Sequence, residues 1–321
     1  MKPILGLVVP CYNEEAVLRD TLDSLKAVVA DLVTRQLVDP ASRIYCVDDG
    51  SRDNTWQIIQ EESLRSAAVC GVKLAGNVGH QNALMAGLST ATADCDIMIS
   101  IDADLQDDTA VIADMVNAYL DGADIVYGVR KSRESDSFFK RNSALMFYKM
   151  MNALGTKTIY NHADYRLMSR RATEKLLAFR ERNLFIRGIV PTIGFRTATV
   201  YYDRHPRLAG ESKYPLKKML SFAVDGITSF SIRPIRLIFA TGIIMLIATL
   251  TVSLYVLLAY FHGNTIPGWT SLMLSLWFIG SLVLISLGII GEYIGKIYIE
   301  VKDRPRFFIE KTIIQQKETT F

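Results

Sequence analysis

Two stretches of this chain carry no charged residue: Leu237 to Phe261, and Gly263 to Gly291. Each exceeds the roughly 20 residues that an α-helix needs to cross the hydrocarbon core of a bilayer. A soluble helix seldom stays uncharged so long, because one of its faces meets water. The segment His262-Gly263-Asn264-Thr265-Ile266-Pro267-Gly268 between them reads as a turn. The expectation is a hairpin of two transmembrane helices, about 236–261 and 269–291, with Glu292 at the interface. Lys217, Lys218, Arg233 and Arg236 precede the first span, and Lys296, Lys302, Arg304 and Arg306 follow the second. The connecting turn has no Lys or Arg, so both ends are expected on the cytoplasmic side. These stretches also account for a composition that is 50% hydrophobic.

The first two thirds reads differently. Ile4 to Val9, Arg43 to Val47 and Ile97 to Ile101 are short, mostly apolar runs, as expected of strands buried on both faces of a parallel sheet. Helical spacing follows each of them. Leu18, Leu22, Leu25, Val29 and Leu32 follow the first, Thr55 to Ala68 the second, and Thr109 to Leu120 the third. A further apolar strand is expected at Asp124 to Val129. Strands alternating with helices of this length imply a mostly parallel α/β sheet with helices on both faces. Ligands of such sheets bind beyond the carboxyl ends of the strands.

All three strands end in polar or acidic residues: Asn13-Glu14-Glu15, Asp48-Asp49-Gly50-Ser51, and Asp102-Ala103-Asp104. Clustered carboxylates repel one another unless something cationic joins them. In extended chain, residues two apart point to the same side, so Asp102 and Asp104 are expected to aim at one point. Two hard oxygen ligands there suit Mg²⁺ or Mn²⁺, held together with a substrate diphosphate.

Val9-Pro10-Cys11-Tyr12-Asn13-Glu14-Glu15, Val47-Asp48-Asp49-Gly50-Ser51-Arg52-Asp53, Asn77-Val78-Gly79 followed by Ala83, and Asp102-Ala103-Asp104-Leu105-Gln106-Asp107 stand in this order over about 100 residues. Together they resemble the family 2 glycosyltransferases with a GT-A fold. The resemblance implies a nucleotide pocket at Pro10, Tyr12, Glu14 and Asp49. It places a divalent metal on Asp102 and Asp104, with Gln106 beside it.

Basic residues cluster between Tyr127 and Lys213. Arginine suits phosphate recognition, and Arg130, Arg133, Arg207 and Lys213 are the candidates for gripping phosphates. Asp164-Tyr165-Arg166-Leu167 resembles the DFRL motif, and Gly210-Glu211-Ser212-Lys213 the GxSK motif, of polyprenyl-phosphate glycosyltransferases. Tyr165 stands where that family often has Phe, and Glu211 is unusual within GxSK. By this resemblance Arg166 and Ser212 join the substrate-binding set, and Asp164 is either a base or a group that orients Arg166 or a sugar hydroxyl. Glu181 to Phe185, Gly226 to Ser231 and Gly291 to Lys296 bring the likeness closest to bactoprenol glucosyltransferases of the O-antigen-modifying type, over the chain to about Arg306.

The organisation expected is a GT-A domain over 1–214, an amphipathic juxtamembrane helix over 215–235, two spans over 236–291, and a polar tail over 292–321, loose after Phe308. The implied reaction is inverting, metal-dependent transfer of glucose from UDP-glucose to undecaprenyl phosphate on the cytoplasmic leaflet of the inner membrane. GDP-mannose and a UDP-amino-arabinose derivative are the alternative donors, and a non-catalytic membrane scaffold is the alternative of a different class. Homo-oligomers are implied by resemblance alone. No basic stripe with nucleic-acid-reading motifs is present, so no nucleic-acid partner is expected. The net charge of +3 is unremarkable, the four cysteines lack metal-ligand spacing and read as reduced core residues, and the N-terminus lacks a signal-peptide pattern.

Overall fold

The computed structural model describes residues 2–131 except 105, 162–203 except 183 and 184, scattered positions between 235 and 258, and 268–320 except 315 and 316. The chain divides into two units, one made of 1–149, 157–214 and 304–321, the other of 150–156 and 215–303.

The first unit is built on a nine-stranded sheet. In chain order its elements are β1 (Leu5–Cys11), α1 (Leu18–Thr34), β2 (Arg43–Asp48), α2 (Thr55–Arg65), β3 (Val69–Leu74), α3 (His80–Ala91) and β4 (Ile97–Ser100). Then come a 3₁₀ turn (Thr109–Val111), α4 (Ile112–Leu120), β5 (Ile125–Arg130), β6 (His162–Ser169), α5 (Arg170–Ala178), the short α6 (Ile186–Ile189) and β7 (Thr197–Tyr202). The strands lie in the order β7-β5-β6-β4-β1-β2-β3, followed by two C-terminal strands. Strands β4, β1, β2 and β3 are parallel, as are β5 and β7. Only β6 among these runs the other way, against both β4 and β5.

The apolar runs are strands because both faces are covered. Every residue of β1, β2 and β4 is buried. In β1, Leu5, Leu7, Val9 and Cys11 join the core cluster that includes Leu18, Leu22, Leu25, Val29 and Leu32 of α1. Val8 meets α3 on the opposite face, where Gly87 lets the helix come close. A Cβ there would lie 2.4 Å from Val8 Cγ1 and 2.6 Å from Val47 Cγ2. Helix α2 ends at Arg65, three residues earlier than its pattern suggests, because Ser66 turns to extended backbone ahead of β3.

The chain leaves β1 toward β2 and β3 on one side, then crosses to β4 on the other. This reversal between β1 and β4 opens a crevice at their carboxyl ends, the place where such sheets take ligands.

The C-terminal tail corrects the expectation of a loose end. Ile309–Ile314 forms β8, antiparallel to β3, with Gly71 opposite Ile313 and Lys73 opposite Lys311. Lys317–Thr320 forms β9 against β8. Lys73 Nζ lies 2.9 Å from Glu310 Oε1, and the Ala75 amide donates to the Phe308 carbonyl at 2.9 Å. Arg306 donates to the Phe179 carbonyl. The segment is polar because it covers a sheet edge, where half of each strand faces water. Ending the chain after Phe308 is expected to destabilise the first unit by at least about 2 kcal/mol, the cost of losing a packed side chain such as Ile313. Urea unfolding of the shortened and full-length proteins measures this, and an unchanged midpoint would refute it.

In the second unit, α7 spans Trp269–Val301, 33 residues. It contains the expected second span and continues past Glu292 and Lys296. Leu272, Leu276, Phe278, Leu284 and Leu287 are each more than half exposed. Among the described residues, this is the one helix long and apolar enough to cross a membrane. Every described residue between Ile235 and Leu258 is helical. Most of the expected juxtamembrane helix, and much of the first span, lie outside the described residues.

Candidate active site

The loops after β1 and β2 are laced together at the mouth of the crevice. Asn13 adopts left-handed backbone (φ 56°), its amide donates to Ser51 Oγ at 3.0 Å, and its side-chain oxygen accepts from the Arg52 amide at 2.8 Å. The Glu14 amide donates to Thr55 Oγ1 at 2.8 Å, and the Glu15 amide to Asp53 Oδ2 at 3.1 Å. Glu15 returns the contact by accepting from Asn54. Pro10 is buried at the end of β1, Glu14 is partly buried, and Tyr12 stands 42% exposed at the rim. Much of the acidic character of these loops therefore serves to hold one against the other.

Asp49 does similar work one layer deeper. It is buried, and its two oxygens accept from the amides of Val78 (2.7 Å) and Gly79 (2.9 Å). Burial pushes this carboxyl up, and the two amides oppose the shift. Gly50 is required beside it. Its φ is +67°, and a Cβ would meet the Asn77 amide nitrogen at 2.7 Å. The acidic turn after β2 thus fixes the turn before α3, and α3 begins with His80.

His80 faces two carboxylates. Its Nε2 lies 3.6 Å from Asp102 Oδ1 and 3.9 Å from Asp164 Oδ2. Asp102 lies two residues past the end of β4, and Ala103 and Asp104 form a turn. Strand alternation therefore does not govern this pair as the sequence suggested, because the ladder stops at Ser100. The Asp102 carboxyl is pushed up to about 6, by burial first; His80 opposes this, and the carboxylates of Asp164, Asp107 and Asp104 add to it. Asp104 accepts from the Gln106 amide at 3.2 Å, and Gln106 is buried.

Asp164, on β6, is clamped by two arginines. Arg166 donates to Oδ1 at 2.6 Å, while Arg187 donates to Oδ1 at 3.2 Å and to Oδ2 at 2.9 Å. Burial alone would raise this carboxyl; Arg187 and Arg166, with His80, overturn that and hold it well below the ordinary carboxylate range. Arg166 is only 2% exposed, and its Nε and one terminal nitrogen have no hydrogen-bond partner. Asp164, its one carboxylate partner among the described residues, is therefore essential to its burial.

The structure brings together Asp102, Asp104, Gln106, Asp164 and Arg166. Arg130 lies at the end of β5, bonded to Asp107 and Tyr202. Arg133, Arg207, Ser212 and Lys213 lie outside the described residues. The sequence reading missed His80 and Arg187. His80 directly follows the Asn77-Val78-Gly79 motif, a signal that was available. Arg187 sits in a helix of four residues, too short to have a readable period.

A divalent cation fits this chemistry. The carboxylates around Asp102 raise its affinity for a proton, and a hard cation would relieve the same repulsion. Among the described residues no group of three or more His, Cys, Asp or Glu forms a complete cage. Two carboxylates with open positions suit Mg²⁺ or Mn²⁺ bound jointly with substrate phosphates rather than a structural metal.

Comparison with known proteins agrees with this architecture. The model of glycosyl transferase family 2 matches residues 7–177. An uncharacterized glycosyltransferase of Bacillus subtilis, YkoT, is 53% identical over 309 residues, covering 96% of this chain and 92% of its own. The SfII prophage-derived bactoprenol glucosyl transferase of Shigella flexneri is 37% identical over 310 residues, covering 96% and 98%. A glucosyl-3-phosphoglycerate synthase from Mycobacterium tuberculosis, solved with Mn²⁺, UDP-glucose and phosphoglyceric acid, aligns over 70% of this chain and 78% of that one, at 18% identity and a TM-score of 0.45. That likeness is too distant to bear on activity. The sheet with its acidic crevice, the family match over more than half the chain and the near full-length relatives lead to one conclusion: this chain belongs to glycosyl transferase family 2 and is a glycosyltransferase.

Proposed function

We propose that this enzyme transfers glucose from UDP-glucose to undecaprenyl phosphate at the cytoplasmic face of the membrane, with inversion at the anomeric carbon. The observation that carries this reading is Asp164, placed across His80 from Asp102 and held ionised by two arginines. A hydroxyl acceptor needs a base whose affinity for a proton is matched to neutral pH. Asp164, with both oxygens already paired to Arg166 and Arg187, is poorly placed for that task. A phosphate acceptor is already an anion and needs none. The likeness to bactoprenol glucosyl transferases and the lipid-compatible helix α7 support the same acceptor.

In this reading a phosphate oxygen of the acceptor attacks the anomeric carbon. The bond from that carbon to the donor's diphosphate oxygen breaks, and its electron pair leaves with the nucleotide. An α-linked donor then gives a β-linked lipid phosphate sugar. Asp102 and Asp104 would hold Mg²⁺ or Mn²⁺, which when bound supplies charge neutralisation at the departing diphosphate. Asp164 accepts a sugar hydroxyl and keeps Arg187 aimed at the crevice, so positioning dominates over proton transfer. Two spans with both termini cytoplasmic would keep the crevice on the side where nucleotide sugars are made.

The test is transfer by the protein in lipid, with undecaprenyl phosphate, Mn²⁺ or Mg²⁺, and labelled UDP-glucose, GDP-mannose or a UDP-amino-arabinose derivative, each alone. Label from UDP-glucose in an organic-extractable, mild-acid-labile product is the expected result. Label from another donor would replace the sugar. Absence of transfer from every donor by folded protein would overturn the lipid-phosphate reading and return weight to a scaffold role.

A further inference from the structure

The loop after β4 has lost its strand partners, yet it carries the proposed metal-binding pair. Three hydroxyl side chains from three different elements hold it. From α1, the buried Thr21 donates to the Ala103 carbonyl at 2.7 Å. From β6, Tyr165 donates to the Asp108 carbonyl at 3.1 Å. From the end of β7, Tyr202 donates to Asp107 Oδ1 at 2.5 Å.

The third contact is part of a closed ring. Arg130 Nε donates to the Tyr202 hydroxyl at 3.2 Å, and a terminal Arg130 nitrogen donates to the same Asp107 oxygen at 3.3 Å. Arg130 and Tyr202 are register partners at the ends of the parallel strands β5 and β7, so the sheet itself sets their spacing. Asp107 is 3% exposed, and a carboxylate so deeply buried needs such partners. The rings of Tyr165 and Tyr202 pack edge to face, centroids 5.4 Å apart, which restricts both hydroxyls.

We propose that Thr21, Tyr165 and Tyr202 are positioning residues that fix the loop on both sides of Asp104, so that Asp102 and Asp104 are presented to the cation as a preformed pair. None of the three touches the reacting atoms; each acts through the backbone or through Asp107. The inference rests on the reading of Asp102 and Asp104 as metal ligands. It also adds to the part given to Arg130, which holds Asp107 in place.

The experiment compares full-length wild type with Tyr202→Phe, Tyr165→Phe and Thr21→Val in lipid nanodiscs. Mn²⁺ binding is followed by electron paramagnetic resonance, with and without UDP, and backbone amide exchange is followed at Asp104, Gln106 and Asp107. Tyr202→Phe is expected to weaken Mn²⁺ binding about tenfold, within the range usual for loss of an outer ligand contact, and to speed exchange at those amides. Tyr165→Phe and Thr21→Val should shift both readouts in the same direction by less. Ser169→Ala serves as the comparison. It removes a 2.9 Å bond to Asp124 at the far end of β6, and should lower the melting temperature without changing Mn²⁺ binding. Wild-type Mn²⁺ affinity and exchange in all three variants would overturn the proposal. If the wild type binds no Mn²⁺, the metal reading fails, and amide exchange alone then decides whether the three hydroxyls hold the loop.

Discussion

Asp104→Asn is expected to lower transfer by about three orders of magnitude while leaving the melting temperature within a few degrees of wild type. The side chain lies in a turn past the end of β4, outside the packed core, and the amide keeps its shape. On the proposed function, what it loses is a hard anionic oxygen that would hold the cation, and with it the charge neutralisation that a leaving diphosphate needs, worth several kcal/mol. Mn²⁺ titration and turnover should fall together, and excess Mn²⁺ should rescue part of the loss. Near-normal turnover at saturating donor would remove Asp104 from the metal-binding pair.

Asp164→Asn should damage both stability and turnover. The substitution leaves the buried guanidinium of Arg166 without its anionic partner, and breaking such a pair costs about 3 kcal/mol or more. Arg187 loses its aim at the same time, and kcat is expected to fall about 100-fold by misplacement alone. The pH dependence follows from the sign of the shift. The folded-state carboxyl lies well below its unfolded value of about 3.9. Its contribution is therefore fully present above that unfolded value and is lost as the pH falls through the folded one. The part of the stability gap that comes from Asp164's own ionisation should be flat from pH 8 to about pH 5 and narrow only in stronger acid. The neighbouring Asp102 carboxyl, pushed up to about 6, moves the gap near that pH. Urea unfolding across this range measures it. A gap that closes near pH 7 would mean that the two arginines do not hold Asp164 ionised.

Much of the fold was legible because burial on both sides writes apolar runs into β1, β2 and β4, and because α1 buries one leucine-rich stripe. The acidic strand ends marked the crevice for the same reason that they are rare: grouped carboxylates need a use. Their division of labour was not legible. Asp49 reads as a nucleotide-pocket residue, but nothing local shows that it also fixes the turn before α3, about 30 residues away in sequence. Arg130 reads as a phosphate grip, and nothing local shows that it also closes a ring with Asp107 and Tyr202, 72 residues on. Such assignments depend on which strands become neighbours, and local periodicity carries no record of that. The tail after Phe308 was misread because a strand on a sheet edge is half polar and looks like a solvated end. Its isoleucines, Ile309, Ile313 and Ile314, were the overlooked signal.

The return of the chain as β8 makes residues 215–303 an insertion within the sheet domain rather than an appendage after it. A fragment that stops short of the apolar helix is therefore an incomplete domain, missing the strand that closes β3. A single cut near Asp303 would not release the last segment, because that segment remains seated in the sheet by its ladder with β3. The two pieces would behave as complementing fragments. A peptide covering residues 304–321, added in trans, should restore stability to a protein that ends before it.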